Sequence, residues 1–347
     1  MNSTGWPVLV ISASLLVAPG SPASSYGDRS SFSAHGVRSA LFAPQTLTAD
    51  HRYRIIGKVR LLLFWIGNDN VGGARVTWRA EEGGRHAIAL LVGTEPTRAP
   101  RGINQWGYVG EDVQNENADV FGIRSITDAK SLDEAEARLA QGSGPALFGA
   151  MCSIVTATEA LAFTATVRVP ADVTYRQLGR LLDSVGSSTQ WFRHHTARPA
   201  GADPGFLTAL QSLVRTSVET AQHGTGPTGQ IPSRVYVYKG ALFDLRLTQS
   251  RRIARARVGS EIFRNLIRSE FAIRNRTTGY STQFDMTYGV NGELAGVPVQ
   301  ASYQPHWWLK LELALDESLD VPLNPIDDNA LVEQLRRICQ SAKGQSQ

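Results

Sequence analysis

The stretch that decides the fold reads WWLKLELAL and covers residues 307–315. Its odd positions are all apolar, whereas Lys310 and Glu312 stand at even positions. Because successive side chains of a β-strand point to opposite faces of a sheet, this alternation predicts a strand with one buried face. A second alternating stretch covers residues 297–303, and the two together predict a hairpin that turns at residues 304–306.

Strand patterns of the same kind recur on both sides of the middle of the chain. Residues 53–66 predict one long strand, and the Gly- and Asn-rich residues 67–73 predict the turn that follows it. Residues 74–79 and 86–92 then complete an antiparallel meander. Residues 252–268 suit either a strand or a helix, because their apolar positions fit both periods. Further strands are predicted over residues 105–113, 118–124, 161–169, 235–238, 241–247, 271–276 and 280–288.

The middle of the chain and its end carry helix signals. Thr174 and Gln177 have the spacing of a capping box, which predicts a helix that starts between them. Asp203 and the proline after it predict the start of a longer amphipathic helix. Similar capping residues predict two more helices, which begin at Ser131 and Asp328.

These patterns predict an α+β fold that is predominantly antiparallel β-sheet, with two strand-rich regions, a helical middle segment and a C-terminal helix. The chain has 347 residues, which is enough for one large domain or two ordinary ones. The strand-rich regions are equally compatible with two domains and with one sheet that helices interrupt. The predicted layout is a signal peptide over residues 1–23, a flexible lead-in over 24–50, a β-rich N-terminal region over 51–170, a helical segment and linker over 171–230, and a β-rich C-terminal region with the terminal helix over 231–347.

The N-terminal segment has the composition of an export signal. The first 23 residues carry no charged side chain, and residues 6–18 form an apolar stretch. This stretch is too short to span a bilayer, which takes about 20 apolar residues, but it fits the apolar middle of a secretory signal. Small residues predict cleavage after Ala23. The residues before the apolar stretch include no Lys or Arg, so a buried N-terminal helix is the alternative. We expect a periplasmic or extracellular protein with no transmembrane segment in the mature chain.

The chain contains two cysteines, Cys152 and Cys339. In an oxidising compartment an even number of cysteines permits one disulfide. Such a bridge would close most of the mature chain into a loop, for which the chain-entropy treatment gives about 5 kcal/mol as an upper figure. The alternative is a pair of buried free thiols that behave as small apolar side chains. The sequence alone favours neither reading.

The usual sequence motifs of enzyme and metal sites do not occur in the chain. It has no G-x-S-x-G elbow, no H-E-x-x-H motif, no cysteine pair at zinc spacing and no phosphate-binding loop. Asn68, Asp69 and Asn70 offer oxygen ligands, but they lack the spacing of a calcium loop and predict a turn instead. The sequence therefore predicts neither a metal site nor a cofactor.

Arginines cluster in the last third of the chain, where nine lie between residues 246 and 276. If the strands pair in register, several of them share a sheet face that can bind an anionic polymer, a lipid headgroup or a partner protein. The alternative is an outer face that is only solvated. Nucleic acid is not expected, because export is predicted and the net charge is only +4. The predicted binding residues in this cluster are Arg255, Arg257, Arg264, Arg268 and Arg274.

Two tryptophans and one carboxylate pair complete the candidate residues. Trp308 falls on the polar face of its predicted strand, and Trp106 is the second candidate for stacking on a ligand. Our leading hypothesis is an exported, non-enzymatic binding or envelope-associated protein whose ligand is a lipid, a glycan or a partner protein. One alternative is a hydrolase that uses Glu111 and Asp112 as a carboxylate pair. Another is a structural module that packs against a membrane protein.

Overall fold

A computed structural model gives the fold of most of the chain. The predicted signal peptide over residues 1–23 and the helix predicted to begin at Ser131 lie outside the described residues. The structure describes residues 46–61, 64–81, 84–99, 104–126, 146–169, 173–185, 189–223, 231–306, 309–321 and 329–344.

Fourteen strands and three α-helices make up the described part of the chain. The strands are β1 Thr46–Leu61, β2 Phe64–Ala80, β3 His86–Thr94, β4 Trp106–Gln114, β5 Asn117–Ile126, β6 Ala146–Val155, β7 Glu159–Val169, β8 Phe192–Ala197, β9 Ser233–Tyr238, β10 Ala241–Val258, β11 Glu261–Asn275, β12 Ser281–Gly289, β13 Pro298–His306 and β14 Leu309–Leu315. The helices are α1 Leu178–Asp183, which follows a short 3₁₀ turn over Tyr175–Gln177, α2 Phe206–His223 and α3 Asn329–Gly344. No helix in this part of the chain is both long and apolar enough to cross a membrane.

All fourteen strands lie in one antiparallel sheet in the order β8-β7-β6-β5-β4-β3-β2-β1-β14-β13-β12-β11-β10-β9. Strands that are consecutive in sequence are neighbours, except that β1 pairs with β14 and that β8 and β9 form the two edges. The segment that follows β8 bridges to β9, because the Asp203 N–H donates to the Val235 carbonyl over 2.7 Å and the Val237 N–H donates to the Asp203 carbonyl over 3.3 Å. The Thr196 hydroxyl also donates to the Gly240 carbonyl. The two strand-rich regions are therefore parts of one sheet that closes on itself.

The inner face of the closed sheet holds the larger hydrophobic core. Helix α2 lies on this face and contacts β3, β9 and β10. Its amphipathic pattern buries one side against the sheet, as the sequence predicts. Aromatic rings fill much of this core: Phe206 packs against Tyr236 and Phe284, and Phe271 stacks on Phe284 with ring centroids 5.0 Å apart.

A second core lies on the outer face of strands β3 to β7, beneath α1 and α3. Leu181 of α1 and Leu335 of α3 pack there against strand residues such as Phe121. The structure joins Cys152 of β6 to Cys339 of α3 as a disulfide, with Cα atoms 5.6 Å apart. Strands β3 to β6 are consequently buried on both faces. Strand β6 has no alternation of polar and apolar residues for this reason, and the sequence patterns do not identify it.

The boundary between β1 and β2 differs from the prediction. The sequence predicts one strand over 53–66 and a turn over 67–73, but β1 ends at Leu61 and residues 67–73 lie inside β2. The Gly- and Asn-rich residues serve a different purpose there. The Gly93 carbonyl lies so close to Gly72 that a residue with a Cβ atom would not fit there. Asn70 has a φ of 61° and lies beside an irregularity in the β1–β2 register. Strand β1 also begins at Thr46, inside the predicted lead-in.

The region between the two predicted middle helices, where no strand is predicted, contains the edge strand β8. Its side chains are mostly exposed, so it lacks an apolar face that a sequence pattern could detect. The predicted helix cap at Asp203 is also wrong, because Asp203 bridges to β9 and α2 begins at Phe206. The capping box at Thr174 is confirmed: its N–H donates to the Gln177 side chain over 3.1 Å.

Candidate functional site

The long hairpin of β10 and β11 extends beyond its neighbours in the sheet. Strand β9 pairs with β10 only over residues 241–246, and β12 pairs with β11 only over residues 266–274. Between Ile253 and Asn265 the two strands pair only with each other among the described residues. We call residues 251–268 the arginine arm. Its turn approaches β1, since a Cβ on Gly259 would lie 2.6 Å from Nη2 of Arg54.

The register of this hairpin places arginines directly opposite one another. Arg255 faces Arg264, and Arg251 faces Arg268. Residues that face each other across a pair of strands, and residues two apart along a strand, share one face. These four arginines and Arg257 therefore lie on the same face of the hairpin. Like charges that lie directly opposite each other destabilise a hairpin.

Within the described part of the chain, only the arginine at the base of the arm has an acidic partner. Arg268 lies 3.8 Å from a carboxylate oxygen of Asp285. Arg251, Arg255 and Arg264 are exposed and form no ion pair with any described carboxylate. Arg257 is likewise exposed and without an ion pair there. The arm thus presents at least four cations to solvent.

The remaining predicted binding residues do not join this surface. Arg274 lies opposite Asp244, ten residues along β11 from Arg264, which corresponds to roughly 33 Å in an extended strand. Trp106 is only 3% exposed and packs in the outer core, which leaves its indole no free surface on which a ligand could stack. Trp308 lies outside the described residues.

The carboxylate pair proposed for a hydrolase does not form. Glu111 and Asp112 are consecutive residues of β4, so their side chains point to opposite faces of the sheet. Asp112 accepts two hydrogen bonds from the Arg85 guanidinium, at 2.9 and 2.5 Å. Glu111 points inward, where it accepts hydrogen bonds from the N–H groups of Leu207 and Thr208 at 2.8 and 2.9 Å.

Glu111 therefore caps helix α2 from a neighbouring strand. Its carboxylate also accepts the Thr208 hydroxyl at 2.8 Å, so three donors converge on one buried side chain. Burial raises the pKa of Glu111, and these hydrogen bonds oppose that effect. A carboxylate at a helix N-terminus satisfies N–H groups that have no partner inside the helix. The role of Glu111 is thus structural.

A second group of basic residues lies on the inner face, where no sequence pattern predicts one. Arg124 of β5 points inward and pairs across the ladder with Gly107 on one side and Gly149 on the other. Neither of these two neighbours has a side chain. The Nε atom of Arg124 is buried and has no hydrogen-bond partner among the described residues.

Lys239 approaches Arg124 from the turn between β9 and β10. Its backbone has a φ of 51° and the following Gly240 a φ of 70°, which is the geometry of a tight hairpin turn with both central residues left-handed. Tyr238 reaches across to β5, because its hydroxyl lies 3.9 Å from the position that a Cβ atom would take if Gly122 had one. The Lys239 ammonium lies 5.6 Å from the centre of the Tyr238 ring. The turn thus holds Lys239 at the inner face near Arg124.

The electrostatics of Lys239 reflect these surroundings. Burial and, to a smaller extent, the positive charge of Arg124 together lower the pKa of the Lys239 ammonium to about 7. The side chain nevertheless retains partial exposure to solvent. Neither Lys239 nor Arg124 forms an ion pair with a described carboxylate.

His194 of β8 completes this group. It lies against Gly240, and its Nε2 is 3.0 Å from the Thr164 hydroxyl. Burial lowers the pKa of His194, as does the charge of Lys239. We call Arg124, His194 and Lys239 the inner basic cluster. These three residues come from β5, β8 and the β9–β10 turn, so only the closure of the sheet brings them together.

No known protein-family model matches this sequence, and no curated protein matches it. Among solved structures, the chain is similar to the crystal structure of a β-barrel-like protein of the domain of unknown function DUF1849 from Brucella abortus. The sequence identity is 6%, the match covers 77% of this chain and 96% of that chain, and the TM-score is 0.31. A TM-score this low leaves the function to be argued from the residues of the chain itself.

Proposed function

We propose that this chain is an exported, non-enzymatic binding protein that attaches to an anionic membrane surface through the arginine arm. The main support for the proposal is that two pairs of arginines face each other across the hairpin, Arg255 with Arg264 and Arg251 with Arg268. Such pairs cost stability in the isolated protein. Phosphate groups that enter between the guanidinium groups would remove this repulsion, and arginine binds phosphate with two parallel hydrogen bonds.

A lipid surface suits the arm better than a soluble anion does. Ile262 lies opposite Arg257, near the turn of the arm, and its side chain is 54% exposed. An apolar side chain next to several arginines can enter the boundary between headgroups and acyl chains while the arginines contact phosphates. Each arginine near an anionic membrane contributes about 1 kcal/mol, so the four unpaired arginines would together supply about 4 kcal/mol at low salt.

Sedimentation with lipid vesicles tests this proposal. The protein should bind vesicles of phosphatidylglycerol and phosphatidylcholine, bind pure phosphatidylcholine far less, and lose affinity as salt rises. Replacing both Arg255 and Arg264 by glutamine should weaken binding about thirtyfold, from about 1 kcal/mol for each charge. Arg193→Gln removes an exposed arginine of β8 and is the matched control.

Three results would reject the membrane proposal. These are equal binding to both kinds of vesicle, unchanged binding by the double variant, and an equal loss with Arg193→Gln. Binding to an acidic polysaccharide or to an envelope protein in place of vesicles would instead favour the glycan or partner-protein alternatives. Each of these outcomes can be read without knowing the natural ligand.

Export is part of the same proposal. The apolar N-terminal stretch supports it, and so does the Cys152–Cys339 disulfide, because disulfides persist mainly in oxidising compartments. The intact mass of the protein from its native cell should show removal of residues 1–23. A mass that includes these residues would reject cleavage at this position.

A further inference from the structure

The hairpin of β1 and β2 also extends beyond its neighbours, at the end where its own turn lies. Strand β14 pairs with β1 only as far as Val59, and β3 pairs with β2 only as far as Gly72. Among the described residues, positions 64–70 of β2 therefore pair with no strand other than β1. The end of this hairpin is a second projection from the sheet, separate from the arginine arm.

The end of the β1–β2 hairpin has an apolar sequence. Leu61 and Phe64 form the last pair of the ladder, and the chain reads LLLFWI over residues 61–66. Turns that face water are dominated by Gly, Asn, Asp, Ser and Pro, and projecting edge strands usually carry charged residues. This hairpin end has neither feature, so its sequence suits an apolar environment better than water. We call Leu61 and residues 64–66 the apolar tip.

Two further turns lie next to the apolar tip in the sheet. In the β13–β14 hairpin, His306 pairs with Leu309, which also pairs with Val59 beside the tip. Residues 307–308, which lie between them in the sequence, are both Trp. The β11–β12 turn comes next, and its Tyr280 is 44% exposed. Leu, Phe, Trp and Tyr together are the composition of the membrane–water boundary.

The charges around the apolar tip are positive. Lys58 and Lys310 lie opposite each other across the β1–β14 ladder. Both pair with the single carboxylate of Glu312, at 2.6 and 2.9 Å, so this group of three keeps a net positive charge. The sequence over residues 53–66 and 298–311 contains no Asp or Glu. Apolar residues flanked by cations complement an anionic lipid surface.

We propose that the apolar tip enters the boundary between the headgroups and the acyl chains of an anionic membrane. This inference rests on the proposed membrane function and adds the part of the chain that inserts. Insertion is shallow, about 5–10 Å, because the acyl interior offers no hydrogen bonds to the unpaired backbone of residues 64–70. Leu61 lies roughly 23 Å along β1 from Arg54, which the turn of the arginine arm approaches. Contacts at this separation fit beneath one molecule on one membrane.

Fluorescence quenching by brominated lipid tests the insertion of the tip on the full chain. The protein is bound to vesicles of phosphatidylglycerol and phosphatidylcholine brominated on its acyl chains, and its tryptophan emission is compared with that on unbrominated vesicles. At an equal bound fraction, Trp65→Phe should reduce the quenched intensity. Trp78→Phe is the matched control: Trp78 lies on the same strand but packs against the inner core, so its loss should leave the quenched intensity unchanged. Equal quenching of the wild type and Trp65→Phe would overturn the proposal.

Vesicle affinity gives a second test. Replacing both Leu61 and Phe64 by asparagine should weaken binding at least about tenfold, because two apolar side chains no longer leave water. Leu47→Asn changes an apolar side chain of β1 that is 41% exposed and lies at the other end of the strand, and it should have little effect. An equal loss with Leu47→Asn would contradict the role of the tip. If the double variant does not fold, the Trp65→Phe comparison decides alone.

The arginine arm and the apolar tip can fail separately. If the arm variant with glutamine at 255 and 264 binds as the wild type does while Trp65 is quenched, the arm proposal is wrong and the tip proposal holds. If that variant binds more weakly and Trp65 is not quenched, the arm holds and the tip proposal is wrong. A protein that binds no vesicles at all would reject both.

Discussion

Replacing Lys239 by methionine should stabilise the fold at acidic and neutral pH. The protonated lysine lies at the inner face beside Arg124 without an acidic partner among the described residues, whereas in the unfolded chain it is fully hydrated. Methionine has a similar length and no charge, and its Cβ makes the same demand on the left-handed backbone. The substitution therefore removes the charge and leaves the strain of the turn in place.

The lowered pKa of Lys239 sets the size and the sign of this effect. The pKa falls from 10.5 to about 7, and each unit corresponds to about 1.36 kcal/mol, so the largest possible penalty is about 5 kcal/mol. Because the side chain keeps some contact with water, we expect about 2 kcal/mol. Between these two pKa values the unfolded chain binds a proton that the folded protein does not. The contribution of Lys239 to the free energy of unfolding therefore rises from pH 7 to about pH 10.5, and it stays at its lowest value below pH 7.

Urea denaturation of the wild type and of Lys239→Met, at pH 6 and at pH 10, measures this contribution. The variant should be about 2 kcal/mol more stable at pH 6, and most of that gain should disappear at pH 10, where the folded lysine is already neutral. Lys58→Met is the control, because it breaks an ion pair with Glu312 and should destabilise the protein. A gain that is absent at pH 6, or that is equal at both pH values, would refute a buried and unpaired Lys239 charge.

Three further predictions concern the cap, the arm and the disulfide. Glu111→Ala leaves two helix N–H groups without an acceptor and should lower the free energy of unfolding by about 3 kcal/mol in urea denaturation; a loss below about 1 kcal/mol would contradict the capping role. Arg255→Glu places opposite charges across the hairpin from Arg264, so the thermal midpoint should rise slightly while vesicle binding falls; a fall in both would contradict the repulsion argument. Replacing both Cys152 and Cys339 by alanine should lower the free energy of unfolding by about 2–5 kcal/mol. The denaturation midpoints of the oxidised wild type and of this variant measure the loss, and equal midpoints would show that the bridge adds no stability.

An alternation of polar and apolar residues identifies a strand most clearly where its two faces have different surroundings. The alternation before Leu315 identifies β14, and Lys310 lies on its polar face as expected. Strand β6 is buried on both faces, and β8 is exposed on most of its length, so neither shows an alternation. A period-2 pattern reports the difference between two faces, and it is lost when both faces have the same surroundings.

The site residues were predictable only where they are neighbours in the chain. The arginines of the arm lie on one hairpin, so a correct register was enough to place Arg255 and Arg264 together. The inner basic cluster depends on the closure of the sheet between β8 and β9, which no local pattern encodes. The cap of α2 shows the same limit, because Asp203 has the right local position while the acceptor is Glu111, nearly a hundred residues earlier in the chain.

The pairing of β1 with β14 has a consequence for synthesis on the ribosome. Strand β1 leaves the ribosome about 250 residues before its partner, which at bacterial and eukaryotic translation rates is a delay of tens of seconds. During that time one edge of β1 has no partner and is open to pairing with another chain. Its charged residues Arg52, Arg54 and Lys58 alternate along the strand and would discourage such pairing. The nascent chain thus carries its own protection against aggregation until the sheet can close.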